Sequence, residues 1–97
     1  MSNVAFLETL ETVIRQRIAA SPEGSYTARL AAEGTLKVAQ KVGEEAVELV
    51  LAAVAQDRAH VTAEAADLLY HLLLLLKLRD LRLADVVAEL KIRHRAA

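Results

Sequence analysis

Residues 44–71 read EEAVELVLAAVAQDRAHVTAEAADLLYH, and the way this stretch divides decides the fold. Both halves are rich in Ala, Val and Leu, and only Gln56-Asp57-Arg58 interrupts them. Each half therefore reads as a helix, with that tripeptide as a tight helical connection. Two acidic runs sit in the apolar halves, Glu45-x-x-Glu48 and Glu64-x-x-Asp67. At i,i+3 spacing both carboxylates of a run project from one helix face, about 5–6 Å apart at Cβ. Glu48 and Glu64 are equidistant from Gln56, and so are Glu45 and Asp67. An antiparallel hairpin would bring all four to one level of a helix–helix interface.

Such a cluster has an electrostatic cost. Two carboxylates about 5 Å apart repel by about 3 kcal/mol at an effective dielectric of about 20. A cation relieves it, and hard divalent ions take oxygen ligands, so Glu45, Glu48, Glu64 and Asp67 are candidate ligands for Mg²⁺, with Mn²⁺ as a substitute. An ion so placed leaves sites free for water and phosphate oxygens. A lone E-x-x-E is common on solvated helix faces and carries little. Two runs placed symmetrically about a turn, among apolar residues, carry more. Glu44 is turned roughly 100° from Glu45, which leaves it a further ligand, a bridge or a surface residue. Lys41 stands one turn before Glu45, and Lys37 and Arg29 precede it. All three are candidates to meet the charge of a bound phosphate.

Outward from the hairpin, the remaining chain also reads as helix. Val4, Leu7, Leu10, Ile14 and Ile18 recur at spacings of three and four, an amphipathic pattern that Ser2 or Asn3 can cap. The turn-rich stretch Ser21-Pro22-Glu23-Gly24-Ser25 ends it. Ser25 can cap a short helix from Tyr26 to Glu33, closed by Gly34, after which Thr35 can cap the longer helix. Ser25 is also a candidate phosphate contact through its hydroxyl. Tyr70 is a candidate contact for a base or ribose, against a packing role, and a structural role is expected for His71. Gly43 costs about 1 kcal/mol in a helix relative to Ala, so close approach by a ligand or a neighbouring helix would explain it. Leu68 to Leu78 is apolar on almost every face. A helix of that kind must be covered all round, so a homodimer with this helix at its centre is expected. A last helix runs from Leu83 to about Arg93.

Bulk properties narrow the class. Ninety-seven residues make one domain, and at 55% hydrophobic but 3% aromatic its core must be aliphatic. With no cysteine there is neither disulfide nor thiolate metal site, which suits a reducing cytoplasm. A net charge of −1 gives no basic field for nucleic acid. Leu72 to Leu76 is too short to span a bilayer. The expectation is an all-α bundle of about four to five helices over residues 1–97, completed by homodimerisation.

Three segments in order also resemble a known family. They are Ser25-Tyr26-Thr27-Ala28-Arg29-Leu30, Lys41-Val42-Gly43-Glu44-Glu45-Ala46-Val47-Glu48, and Glu64-Ala65-Ala66-Asp67-Leu68-Leu69-Tyr70-His71. The likeness, from about Leu7 to His94, is to the phosphoribosyl-ATP pyrophosphatases, within the MazG-type all-α nucleotide pyrophosphatases. Their E-E-x-x-E and E-x-x-D marks are met by Glu44, Glu45, Glu48, Glu64 and Asp67. The resemblance implies Mg²⁺-dependent hydrolysis of phosphoribosyl-ATP to phosphoribosyl-AMP and pyrophosphate, the second step of histidine biosynthesis, by an intertwined homodimer. It also implies the stand-alone form, since no zinc-ligand pattern of a fused cyclohydrolase is present. A general nucleoside triphosphate pyrophosphatase shares the acidic residues, and a non-catalytic dimerisation module is the alternative outside enzymes. A di-iron bundle is disfavoured, because no Glu-x-x-His pair is present.

Overall fold

The computed structural model describes residues 3–21 and 23–96. Five α-helices follow one another: α1 (Phe6–Ala20), α2 (Tyr26–Ala32), α3 (Thr35–Ala55), α4 (Arg58–Leu78) and α5 (Leu83–Ala96). No strand occurs among the described residues, and no helix of theirs is long and apolar enough to cross a membrane. A single 3₁₀ turn, Asn3–Ala5, leads into α1. The residue before α1 is Ala5, with no side-chain cap bond, so Asn3 does not cap α1; Ser2 lies outside the described residues.

The hairpin is built as its connection predicts. Gln56 closes α3 with its N–H bonded to the Ala52 carbonyl. Asp57 opens α4, its Oδ1 accepting from the His60 N–H at 3.0 Å. That bond, with a second from the His60 ring, holds the Asp57 carboxyl below its usual range. Two 21-residue helices joined by two residues can only run antiparallel, and their packing is the most extensive in the molecule.

Caps elsewhere differ in detail. Ser25 caps α2 as expected, its Oγ accepting from the Ala28 N–H at 3.1 Å. Thr35 does not cap α3: Gly34 holds that position at φ 96°, and Thr35 is already helical. A positive φ disfavours any residue with a Cβ, which is why the glycine takes the turn. Gly43 has nothing within 4 Å of where a Cβ would stand, so no neighbouring helix of this chain accounts for it.

Ile14, Leu30, Val38, Leu73 and Leu74 form the core, drawn from α1, α2, α3 and α4. α5 meets its edge through Leu83, whose N–H donates to Glu11 Oε2 on α1 at 2.6 Å. The leucine-rich stretch of α4 is partly covered within the chain: Leu73 and Leu74 are buried, Leu72, Leu75, Leu76 and Leu78 half-buried, and Leu69 exposed. A second apolar face lies on α3, where Val47, Val50, Leu51 and Val54 are all exposed, Val54 at 83%.

Candidate functional site

The α3–α4 hairpin brings Glu45, Glu48 and Glu64 together, with one carboxylate oxygen of each within 4.8 Å of the others. Glu45 and Glu48 come from successive turns of α3, and Glu64 reaches across from α4. They differ in exposure: Glu45 is 4% exposed, Glu64 half-buried and Glu48 exposed. Asp67 is exposed and, one methylene shorter than a glutamate, stands outside the group. Glu44 is exposed and accepts a bond from Gln40 Nε2 at 3.4 Å.

Two oxygens of the trio, Glu45 Oε2 and Glu64 Oε2, are buried with no hydrogen-bond partner. Buried carboxylate oxygens are normally satisfied, and an unsatisfied one costs more than a neutral group. These residues fit a hard divalent cation: the donors are all carboxylate oxygens, and two of them are buried and unpaired. Glu45, Glu48 and Glu64 would hold such an ion, and its charge would satisfy the two unpaired oxygens.

Lys41 supplies the cation found beside the cluster. Its Nζ lies 3.3 Å from Glu45 Oε1, an i,i+4 pair between a partly exposed lysine and a buried acid. The bond to Glu45 raises the Lys41 pKa above its ordinary 10.5. Lys37 is exposed one turn earlier on the same side of α3, so Lys37, Lys41, Glu45 and Glu48 form one stripe. Arg29 is exposed on α2, where it lines a cavity of about 220 Å³ with Tyr26, Leu30 and Glu33.

Two candidates are otherwise engaged. Ser25 is buried, its hydroxyl accepting from the Ala28 N–H in the α2 cap. Tyr70 is half-buried against the core, its hydroxyl hydrogen-bonded to Thr27 Oγ1. The aromatic that faces outward here is Tyr26, 43% exposed. In the sequence Tyr26 stands within the first of the three resembling segments with no role of its own. The signal was available, because the chain holds only three aromatics and two are tyrosines.

His71 fixes that tyrosine. Its Nδ1 lies 2.7 Å from the Asp67 carbonyl, which can only accept, so Nδ1 carries the proton. Nε2 is then the acceptor for the Tyr26 hydroxyl at 2.9 Å. Tyr26, Tyr70 and His71 pack around this bond, the His71 ring edge-on to both tyrosines at 5.9 and 5.0 Å. Burial raises the Tyr26 pKa, with Lys41 opposing and Glu45 adding to the rise. Tyr26 thus shares the electrostatic field of the Lys41–Glu45 pair.

Fold and site define the class: an all-α protein whose central hairpin gathers carboxylates suited to a hard cation, with lysines in line beside them. The chain belongs to the phosphoribosyl-ATP pyrophosphohydrolase family, whose profile matches residues 7–94. Membership makes it an enzyme, a hydrolase. It is 56% identical over 87 residues to the phosphoribosyl-ATP pyrophosphatase of Agrobacterium fabrum, covering 90% of this chain and 81% of that protein. Against the histidine biosynthesis bifunctional protein HisIE of Pasteurella multocida it is 55% identical over 89 residues, 92% of this chain and 44% of that protein. The HisIE of Haemophilus influenzae gives 52% over 93 residues, 96% and 42%. The chain therefore spans most of the first relative and less than half of the bifunctional ones.

Proposed function

We propose that this chain hydrolyses phosphoribosyl-ATP to phosphoribosyl-AMP and pyrophosphate in histidine biosynthesis, with Mg²⁺ as its ion and Mn²⁺ as a substitute. The observation that carries the reading is the convergence of Glu45, Glu48 and Glu64, two of their oxygens buried and unpaired, in a chain of this family.

Glu45, Glu48 and Glu64 hold the ion, with Asp67 drawn in from its exposed position to complete the set. The ion, when bound, neutralises phosphate charge and acidifies water. A carboxylate of the cluster orients the attacking water and takes its proton. The water oxygen bonds to the α-phosphorus, the α–β anhydride bond breaks, and the electron pair leaves on pyrophosphate. Lys41 and Lys37, in line along α3, and Arg29 on α2 offset the charge on that leaving group. No nucleophilic side chain takes part. The working form is a cytoplasmic homodimer, binding neither nucleic acid nor membrane. The exposed apolar stripe of α3 and the near-zero net charge support this.

Incubation with phosphoribosyl-ATP and Mg²⁺ tests the reading, with pyrophosphate release as the measurement. Glu48 is exposed, so Glu48→Gln should keep the fold while lowering turnover by about a hundredfold or more. Near-normal turnover in that variant would remove the assigned site.

A further inference from the structure

Resting on that function, we propose that Tyr26 and Glu33 form a subsite for the purine that selects adenine ribosylated at N1 over ordinary adenine.

A cavity on the α2 side of the molecule is lined by Tyr26, Arg29, Leu30 and Glu33. At about 220 Å³ it is smaller than the ~300–1,000 Å³ that encloses a whole small ligand, and is sized for one ring system. Tyr26 presents its ring there while its hydroxyl is tied back to buried His71. His71 is itself held by the Asp67 carbonyl. The ring is therefore a fixed wall, and stacking on a fixed aromatic costs little ordering. His71 ties the ring to the Asp67 carbonyl, one turn along α4 from Glu64, so a base stacked there neighbours phosphates held at the trio.

The chemistry of the base sets the preference. Ribosylation at N1 turns the 6-amino group of adenine into a basic amidine that takes up a proton far more readily than adenine does. A cationic ring stacks better on the negative face of a tyrosine than a neutral one does. Glu33 is exposed at the same cavity and can accept from the protonated amidine. Arg29, on the same face, suits the substrate's phosphates rather than a cationic base. The device thus reads the feature that distinguishes phosphoribosyl-ATP from ATP.

The experiment uses two probes that need no hydrolysis, 1-methyladenosine 5′-monophosphate and AMP, titrated calorimetrically in the presence of Mn²⁺. The wild-type chain should bind the methylated probe at least severalfold more tightly. Tyr26→Leu should weaken that probe about tenfold or more and erase the preference. Tyr26→Phe keeps the ring and should retain it, and Glu33→Gln should narrow it. Mn²⁺ affinity should be unchanged throughout. Equal wild-type affinity for the probes, absence of binding, or an intact preference in Tyr26→Leu would each overturn the proposal. Should Tyr26→Leu fail to fold by circular dichroism, Glu33→Gln on the exposed face decides, and an unchanged preference there overturns it. If the preference holds and depends on Tyr26, yet phosphoribosyl-ATP is not cleaved, the proposed reaction falls and the subsite stands.

Discussion

Lys41 is the residue at which two demands meet. Its ammonium neutralises buried Glu45 through Oε1 at 3.3 Å, while the unpaired Oε2 is the oxygen left for an ion. Two cations on one carboxylate repel across it, so ion binding loosens Lys41 from Glu45 and frees it for the phosphates. Lys41→Met should therefore bind Mn²⁺ several-fold more tightly, as read by electron paramagnetic resonance. It should also turn over phosphoribosyl-ATP about tenfold or more slowly at saturating metal. A weaker Mn²⁺ affinity in that variant would show that the ammonium does not compete. The sign with pH follows from the raised Lys41 pKa. Stability from the pair is fully present below the ordinary 10.5 and is lost as pH rises through the raised value, so competition for Glu45 is constant across the neutral range.

At the scale of elements, caps decide where helices begin. Ser25→Ala removes the Oγ acceptor for Ala28 and should cost about 1 kcal/mol. For a domain of this size that lowers Tm by roughly 4–8 °C, with Mn²⁺ affinity unaltered. A loss of substrate binding with no change in Tm would return Ser25 to the phosphate. Asp57 opens α4, and its depressed pKa gives stability that is present above the ordinary 3.8 and lost as pH falls through the lower folded value. Asp57→Ala should melt below wild type at neutral pH and converge with it in strong acid. Asp57→Asn caps without titrating, so its deficit should not vary with pH in the same way.

These elements also show what a sequence can and cannot disclose. The hairpin was legible, because Gln56-Asp57 breaks an apolar run and fixes which acids face each other. Glu45, Glu48 and Glu64 follow from that register. The exclusion of Asp67 from the trio does not, since i,i+3 spacing cannot tell which side chain reaches inward. Ser25 was ambiguous for a related reason: a serine before a helix suits a cap and a phosphate equally, and the cap is the role the structure shows. A helix apolar on every face states only that neighbours exist. Whether they belong to the same chain depends on how α1 and α2 fold back, which no local pattern records.

For the whole molecule, the exposed apolar face of α3 offers a partner surface besides the edge of α4. Val47, Val50, Leu51 and Val54 recur at spacings of three and four, so they form one stripe, and all are exposed. Ala46, Val47, Val50 and Leu51 line a shallow cavity of about 220 Å³ along it. Contiguous apolar surface of this kind marks an interface in a soluble protein. A second copy is the partner we propose, since the same stripe on another chain is apolar and self-complementary about a two-fold axis. Glu48 borders the stripe, about 100° round α3 from Val47, and belongs to the carboxylate trio, so such an interface would lie next to the site. Val50→Arg places a charge at its centre without touching the core. By light scattering the wild type should run at about twice the 10.6 kDa chain mass, and Val50→Arg at the single-chain mass. Helical content by circular dichroism should be retained, because Ile14, Val38 and Leu74 stay buried within one chain. If Val50→Arg stays dimeric while Leu69→Arg, on the exposed edge of α4, dissociates, the leucine-rich helix is the true contact.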